Sequence, residues 1–306
     1  MMNFTCIKKR SILFLFLMGV SFVNAQENER YTQYLYNPIN INPAFAGSRG
    51  VTSILSSYRA QWVDVPGAPK TIMLSVNGVT KNENVGLGLS VLNDKIGPSD
   101  QSAIALDFSY SLKLNPKYKL GFGLKASANL LNVDFTKLYL KDGSEPIFED
   151  NIDNKFSPNI GFGFLLKSDK SSFGISVPNV LETKFYDKYN SNASNSSIAK
   201  ENLNVFFTAD HLFELSPNLI VKPALLVKVV KDGVAQTYAS TNFVINQAFT
   251  VGMSYRFGGT ISNLVGFQAS KKMFIGYGYD LETRSMRNYD TASHELFVRF
   301  DLFAKD

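Results

Sequence analysis

From Val51 onward the chain alternates apolar residues with polar or small ones, in stretches of about ten residues divided by turn signals. The clearest stretch is Lys119–Val133. Leu120, Phe122, Leu124, Ala126, Ala128 and Leu130 share one face, while Gly121, Gly123, Lys125, Ser127 and Asn129 share the other. A period of two belongs to a strand, whose successive side chains point to opposite faces. An apolar-Gly-apolar-Gly register recurs at Val85–Leu89, Ile160–Phe164 and Ile275–Tyr279. These glycine pairs sit inside strand patterns and open no helix, which excludes phosphate-binding loops. Fourteen strand patterns follow one another, from Val51–Arg59 to Ala292–Leu302. On nearly every one the apolar face is continuous and the other face mixes small, polar and charged residues. A soluble sandwich turns its bulky residues inward. The pattern here predicts an all-β transmembrane barrel of about 14 antiparallel strands, apolar side outward.

The connections carry a second regularity. Links after even-numbered strands are short, as in Thr80–Asn84, Leu114–Lys117 and Ser168–Lys170, whereas the long links Asp134–Phe156 and Pro178–Asn202 follow odd-numbered strands. Short turns at one end and long loops at the other are the asymmetry of an outer-membrane barrel with both termini in the periplasm.

Ahead of the barrel pattern, Tyr31–Ser48 obeys different rules. Asn37-Pro38 and Asn42-Pro43 exclude a regular helix or a central strand, because proline lacks an N–H and restricts its predecessor. The stretch is still rich in Tyr, Leu, Ile and Phe, which are costly to leave in water. Residues 26–50 are therefore expected to dock in or under the lumen of a barrel formed by residues 51–306. Gly86, Gly88, Gly121, Gly123, Gly161, Gly163, Gly276 and Gly278 fall on the lumen face and make room there. Residues 1–25 read as a signal peptide, with basic Lys8-Lys9-Arg10, an apolar run Ile12–Val23 and a cut after Ala25.

Composition narrows the function. The single cysteine, Cys6, precedes the apolar run, so stability must come from the sheet rather than from disulfides. Removing Lys8, Lys9 and Arg10 lowers the formal charge from +5 to about +2, too little for a nucleic-acid surface. His211 and His294 are the two histidines, and Ser293 and His294 point to opposite faces as strand neighbours. With no nucleophile elbow or metal-ligand cluster, the sequence predicts neither catalysis nor a cofactor. Eight charges share the lumen phase: Asp107, Lys125, Lys222, Lys228, Arg256, Asp280, Arg299 and Asp301. They either line a polar permeation path or pair with one another, and their interspersed signs favour pairing. Trp62, the only tryptophan, lies in the outer link Gln61–Pro69 and suits either partner contact or an interfacial girdle. The link Pro178–Asn202 carries a solvated Ser/Asn tract, Ser191–Ser197.

Taken in order, these segments resemble the PorP/SprF family, outer-membrane proteins of the type IX secretion and gliding machinery of Bacteroidetes. The resemblance rests on Gln33-Tyr34 with Asn37-Pro38 and Asn42-Pro43-Ala44-Phe45-Ala46-Gly47, then Tyr58-Arg59 with Gln61-Trp62 and Gly67-Ala68-Pro69-Lys70-Thr71. Gly86–Leu89 with Asn93-Asp94, Ser176-Val177-Pro178-Asn179 and Ser293-His294-Glu295 complete it. The C-terminus, Phe303-Ala304-Lys305-Asp306, departs from the aromatic ending of many barrels. The resemblance implies a fatty-acid-transporter-like barrel without catalytic activity. It implies outer-membrane lipids, periplasmic secretion-apparatus proteins and the C-terminal domain of a secreted cargo as partners. A transporter for a small apolar solute is the alternative function.

Overall fold

The computed structural model describes residues 34–137, 151–181, 203–231, 233–283 and 292–302. The expected signal peptide with its cut after Ala25, the Ser/Asn tract and the C-terminal residues Phe303–Asp306 lie outside these residues. Among the described residues the sheet has fifteen strand segments. The first seven are β1 (Thr52–Ala60), β2 (Lys70–Val79), β3 (Val85–Ile96), β4 (Ser99–Lys113), β5 (Lys119–Val133), β6 (Ile152–Lys167) and β7 (Ser171–Val177). β8 (Asn204–His211), β9 (Phe213–Ser216), β10 (Leu219–Val230) and β11 (Gln236–Ile245) follow. β12 (Phe249–Arg256), β13 (Thr260–Ser270), β14 (Met273–Glu282) and β15 (Ser293–Leu302) complete the wall.

Every ladder is antiparallel, and each strand pairs with its sequence neighbours except β8 and β9, which both pair with β10 and not with each other. β1 pairs with β15 from Thr52↔Leu302 to Ala60↔His294, which closes the ring. β8 and β9 both pair with β10, so they are two halves of one wall strand and the barrel has fourteen. The break has a cause across the ladder. β8 pairs with β10 down to Asp210↔Ala224 and β9 resumes at Phe213↔Val221, leaving Pro223 in the gap. Proline has no N–H to give the neighbouring strand, so the ladder stops there. The sequence pattern alone predicts an unbroken strand over Leu203–Phe213.

Further boundaries differ from expectation, among them the end of β3, at Ile96 rather than Asn93. β4 begins at Ser99 rather than Gln101, so β3 and β4 are joined only by Gly97-Pro98, with Gly97 at φ +54°. β6 begins at Ile152 rather than Ser157. A third long link at the loop end, 283–292, joins β14 to β15.

The two faces of the wall follow the predicted alternation. Outward-pointing Leu106, Leu124 and Val265 are 60%, 61% and 59% exposed. Such a surface suits lipid, where apolar side chains meet acyl chains instead of water. Inward residues form three buried clusters. One gathers Tyr34, Ile41, Phe206, Leu226 and Tyr238, and a second joins Leu55, Leu264, Phe274 and Phe297. The third, Leu131, Val133 and Phe135, lies at the loop end of β5. The first and second clusters take in residues of the segment that precedes β1, so part of the core is not made by the barrel itself.

Candidate functional site

The segment ahead of β1 fills the lumen as two short 3-10 turns, Pro38–Asn40 and Pro43–Phe45. Each Asn-Pro pair opens one turn. Proline at the first position has its φ preset and leaves no orphan N–H, and asparagine precedes it as the cap. Asn42 Oδ1 accepts a hydrogen bond from the Ala44 amide at 2.9 Å, while its Nδ2 donates to the Phe164 carbonyl on β6 at 3.0 Å. Asn37 accepts from the Ser75 hydroxyl of β2 at 3.3 Å. Ile39 and Ile41 are each only 1% exposed.

The wall receives this backbone through small residues. Ser176 Oγ donates to the Ile41 carbonyl at 2.6 Å and Ser109 Oγ to the Ala46 carbonyl at 2.7 Å. A Cβ on Gly123 would stand 2.1 Å from the Ala44 nitrogen, and one on Gly163 2.1 Å from Asn42 Oδ1. Gly47 sits at φ +66°, and a Cβ there would meet the Gly78 carbonyl oxygen at 2.9 Å, so both backbone angle and space demand glycine. The expectation that all the lumen glycines serve this segment is corrected. Gly161 makes room for the backbone of Pro178 and Gly276 for the ring of Phe297.

Burial pushes the Tyr36 phenol up to about 12, its ring packed on Phe274 and Phe297 at centroid distances of 5.2 and 4.9 Å. Tyr34 is raised further for the same reason, and its hydroxyl meets Ser240 at 3.1 Å. Substituting Asn42→Ala removes the cap and the bond to Phe164. That loosens the second turn by about 1–2 kcal/mol. Faster hydrogen exchange at the Ala44 and Phe45 amides, with the strand amides unchanged, is the expected readout.

Most of the lumen-phase charges are paired. Asp107 and Lys125, 3% and 6% exposed, lie 2.9 Å apart on β4 and β5. Asp280 pairs with Arg59, which also holds Glu295 at 3.0 Å. Arg256 meets Glu282 at 3.4 Å. Asp301 accepts from Arg299 at 3.2 Å and from Arg49 at 2.8 Å. Lys228 is 1% exposed, with its ammonium 5.8 Å from the Phe206 ring centroid. Lys222 departs from the group, being exposed at the turn end.

Sequence reasoning missed Arg49, Arg59, Glu282 and Glu295 as members of this network. For Arg59 the signal was present: Tyr58 points outward at 45% exposure and Arg59, next in phase, must point inward.

The remaining motif residues divide by position. Pro178 turns the chain off the end of β7 and is buried, with Val180 N donating to the Ile160 carbonyl at 2.9 Å; half-buried Asn179 lies in that turn. Asn93 and Asp94 are strand residues of β3. Asn93 donates to Asp100 at 2.7 Å and Asp94 accepts from Thr71. Gly67, at φ +76°, packs on Gly97, whose N–H donates to the Gly67 carbonyl at 2.8 Å. Half-buried Pro69 accepts from the Gln61 amide at 2.9 Å at the foot of that link. Trp62 is half-buried at φ +46°.

A closed antiparallel barrel with an apolar outer face defines an outer-membrane barrel, here with residues 34–50 packed against the inner face of its wall. The chain belongs to the PorP/SprF family: the model described as "Type IX secretion system membrane protein PorP/SprF" matches residues 23–300. No match is found among curated proteins. Among solved structures it is similar to the P. putida toluene transporter TodX, with 9% identity and a TM-score of 0.51 over 88% of this chain and 95% of that one. It is also similar to the CymD monoaromatic hydrocarbon channel, with 13% identity and a TM-score of 0.50 over 92% and 95% of the two chains. At these identities the likeness shows the fold alone.

Proposed function

We propose that this protein is a non-enzymatic docking component of the type IX machinery. Its turn end faces the periplasm and engages secretion-apparatus proteins, and its loop end holds the C-terminal domain of a secreted cargo. The observation that supports this reading is the occupied lumen. The segment between Tyr34 and Gly50 is tied to β2, β4, β6 and β7 by hydrogen bonds from buried groups, and an adaptor needs a stiff ring more than an open path. A carrier for small apolar solutes would need a continuous route past the same segment.

Two measurements test the reading. Reconstituted in planar bilayers, the wild-type barrel should show no steady single-channel current. Chemical crosslinking in native membranes should recover secretion-apparatus and cargo proteins. Porin-like conductance, or crosslinks that contain no such protein, would sink it.

A further inference from the structure

At the turn end the plug leaves a cup of about 360 Å³, at the small end of ligand pockets. Leu35, Tyr36, Pro38 and Phe45 of the segment line it on one side, and the turns Ser168–Lys170 and Gln247-Ala248 rim it. Five cations, Arg49, Lys167, Lys170, Lys222 and Arg299, line the cup with two carboxylates, Asp169 and Asp210.

The existing pairings leave positive charge over. Asp301 is shared by Arg49 and Arg299, at 2.8 and 3.2 Å. Lys170 is taken by Glu214 at 3.3 Å, and Lys167 donates to the Ser48 carbonyl. Asp210 accepts from the Ser172 hydroxyl. Lys222 makes no hydrogen bond and no salt bridge with any described residue, although the charges of Arg49, Arg299 and Asp210 all reach it. A concave, low-dielectric wall with one sign of charge in excess focuses its field on an incoming counter-ion.

We propose that this cup binds a carboxylate side chain carried on an acidic peptide segment of a periplasmic partner, with Lys222 as the primary cationic contact. The proposal rests on the docking reading above and names the chemistry of one contact. Charge complementarity sets the carboxylate. The apolar and aromatic wall beside the cations favours a peptide over a free anion, because the neighbouring residue of an inserted segment finds a surface to bury against. The cup is too small for a folded domain, so what enters is an extended segment.

The test uses the full barrel in detergent or nanodiscs and a short fluorescent peptide of alternating Glu and Leu, read by anisotropy. Binding should weaken as salt rises, weaken roughly tenfold in Lys222→Gln and further in Lys222→Glu. It should stay within about twofold in Lys113→Gln, which removes an exposed cation from the same end outside the cup. Lys222 is exposed, so these variants should keep wild-type heat-modifiable migration. The proposal is overturned if the wild type does not bind, if the matching Gln/Leu peptide binds equally well, or if Lys113→Gln is as damaging. Displacement of the peptide by an equal concentration of inorganic phosphate also overturns it, because the site then belongs to free anions. Crosslinking from native membranes is scored separately. Partner recovery without peptide binding removes the cup alone, whereas loss of every partner removes the docking reading.

Discussion

Replacing Gly123 by valine should make the barrel carry steady current where the wild type is expected to carry none. A Cβ at this position would lie 2.1 Å from the Ala44 nitrogen and 2.5 Å from the Pro43 carbonyl carbon. Both are backbone atoms of a turn held from two sides, so no flexible side chain can move aside. Overpacking of a tight site costs about 1–3 kcal/mol when neighbours can shift, and more when they cannot. The cheaper response is for the segment to leave the lumen. Gly121, two residues away on the same face, is the control, because its nearest contact is 3.4 Å and β-carbon contact there is ordinary. Gly121→Ala should remain silent in planar bilayers. If Gly123→Val folds and stays silent as well, the lumen is sealed by something other than this segment.

The second large effect is expected at Arg59. Its guanidinium holds two carboxylates, Asp280 and Glu295, in a cluster where Arg59 and Asp280 are 8% and 1% exposed. Arg59→Met leaves two neighbouring acids buried without a counter-charge, and removing one partner of a buried pair typically costs about 3–5 kcal/mol. The barrel should unfold at distinctly lower urea concentration. Adding Asp280→Asn and Glu295→Gln should recover most of the loss at neutral pH. A deficit that these two substitutions do not recover would show that lost packing of the long arginine side chain, and not charge, is responsible.

The wall was legible because period-two alternation sustained over so many residues fits a sheet and no helix. The limits of β7, Ser171–Val177, coincide with the pattern to the residue, since Ser/Phe/Ile alternation ends there at a proline. Strand ends escape the pattern where the ladder continues through polar residues. Asp153 and Asn154 carry no apolar signal, yet they belong to β6. The break between β8 and β9 escapes it because its cause, Pro223, lies in the strand opposite and not in the one interrupted.

For the lumen, the Asn-Pro pairs and glycines announced that something needed room. They did not say what would fill it. Gly276 and Gly123 look alike in sequence, yet one faces a phenylalanine ring and the other a peptide nitrogen. Ser75, Ser109 and Ser176, which hold the segment, are indistinguishable from other lumen-phase serines until the chain is folded. Lys222 shares the phase of the paired charges, but the proline beside it puts it where the ladder lapses.

The closing ladder between β1 and β15 also differs from the segment's contacts in the length of chain it encloses. These strands lie at opposite ends of the barrel sequence, so their nine residue pairs close the longest loop in the wall. The segment within the lumen precedes all of them, and most of its wall hydrogen bonds go to strands in the first half, from Ser75 to Ser176. Those bonds span 38 to 135 residues of chain, less than the seam spans, so the loops they close cost less entropy than the one the seam closes.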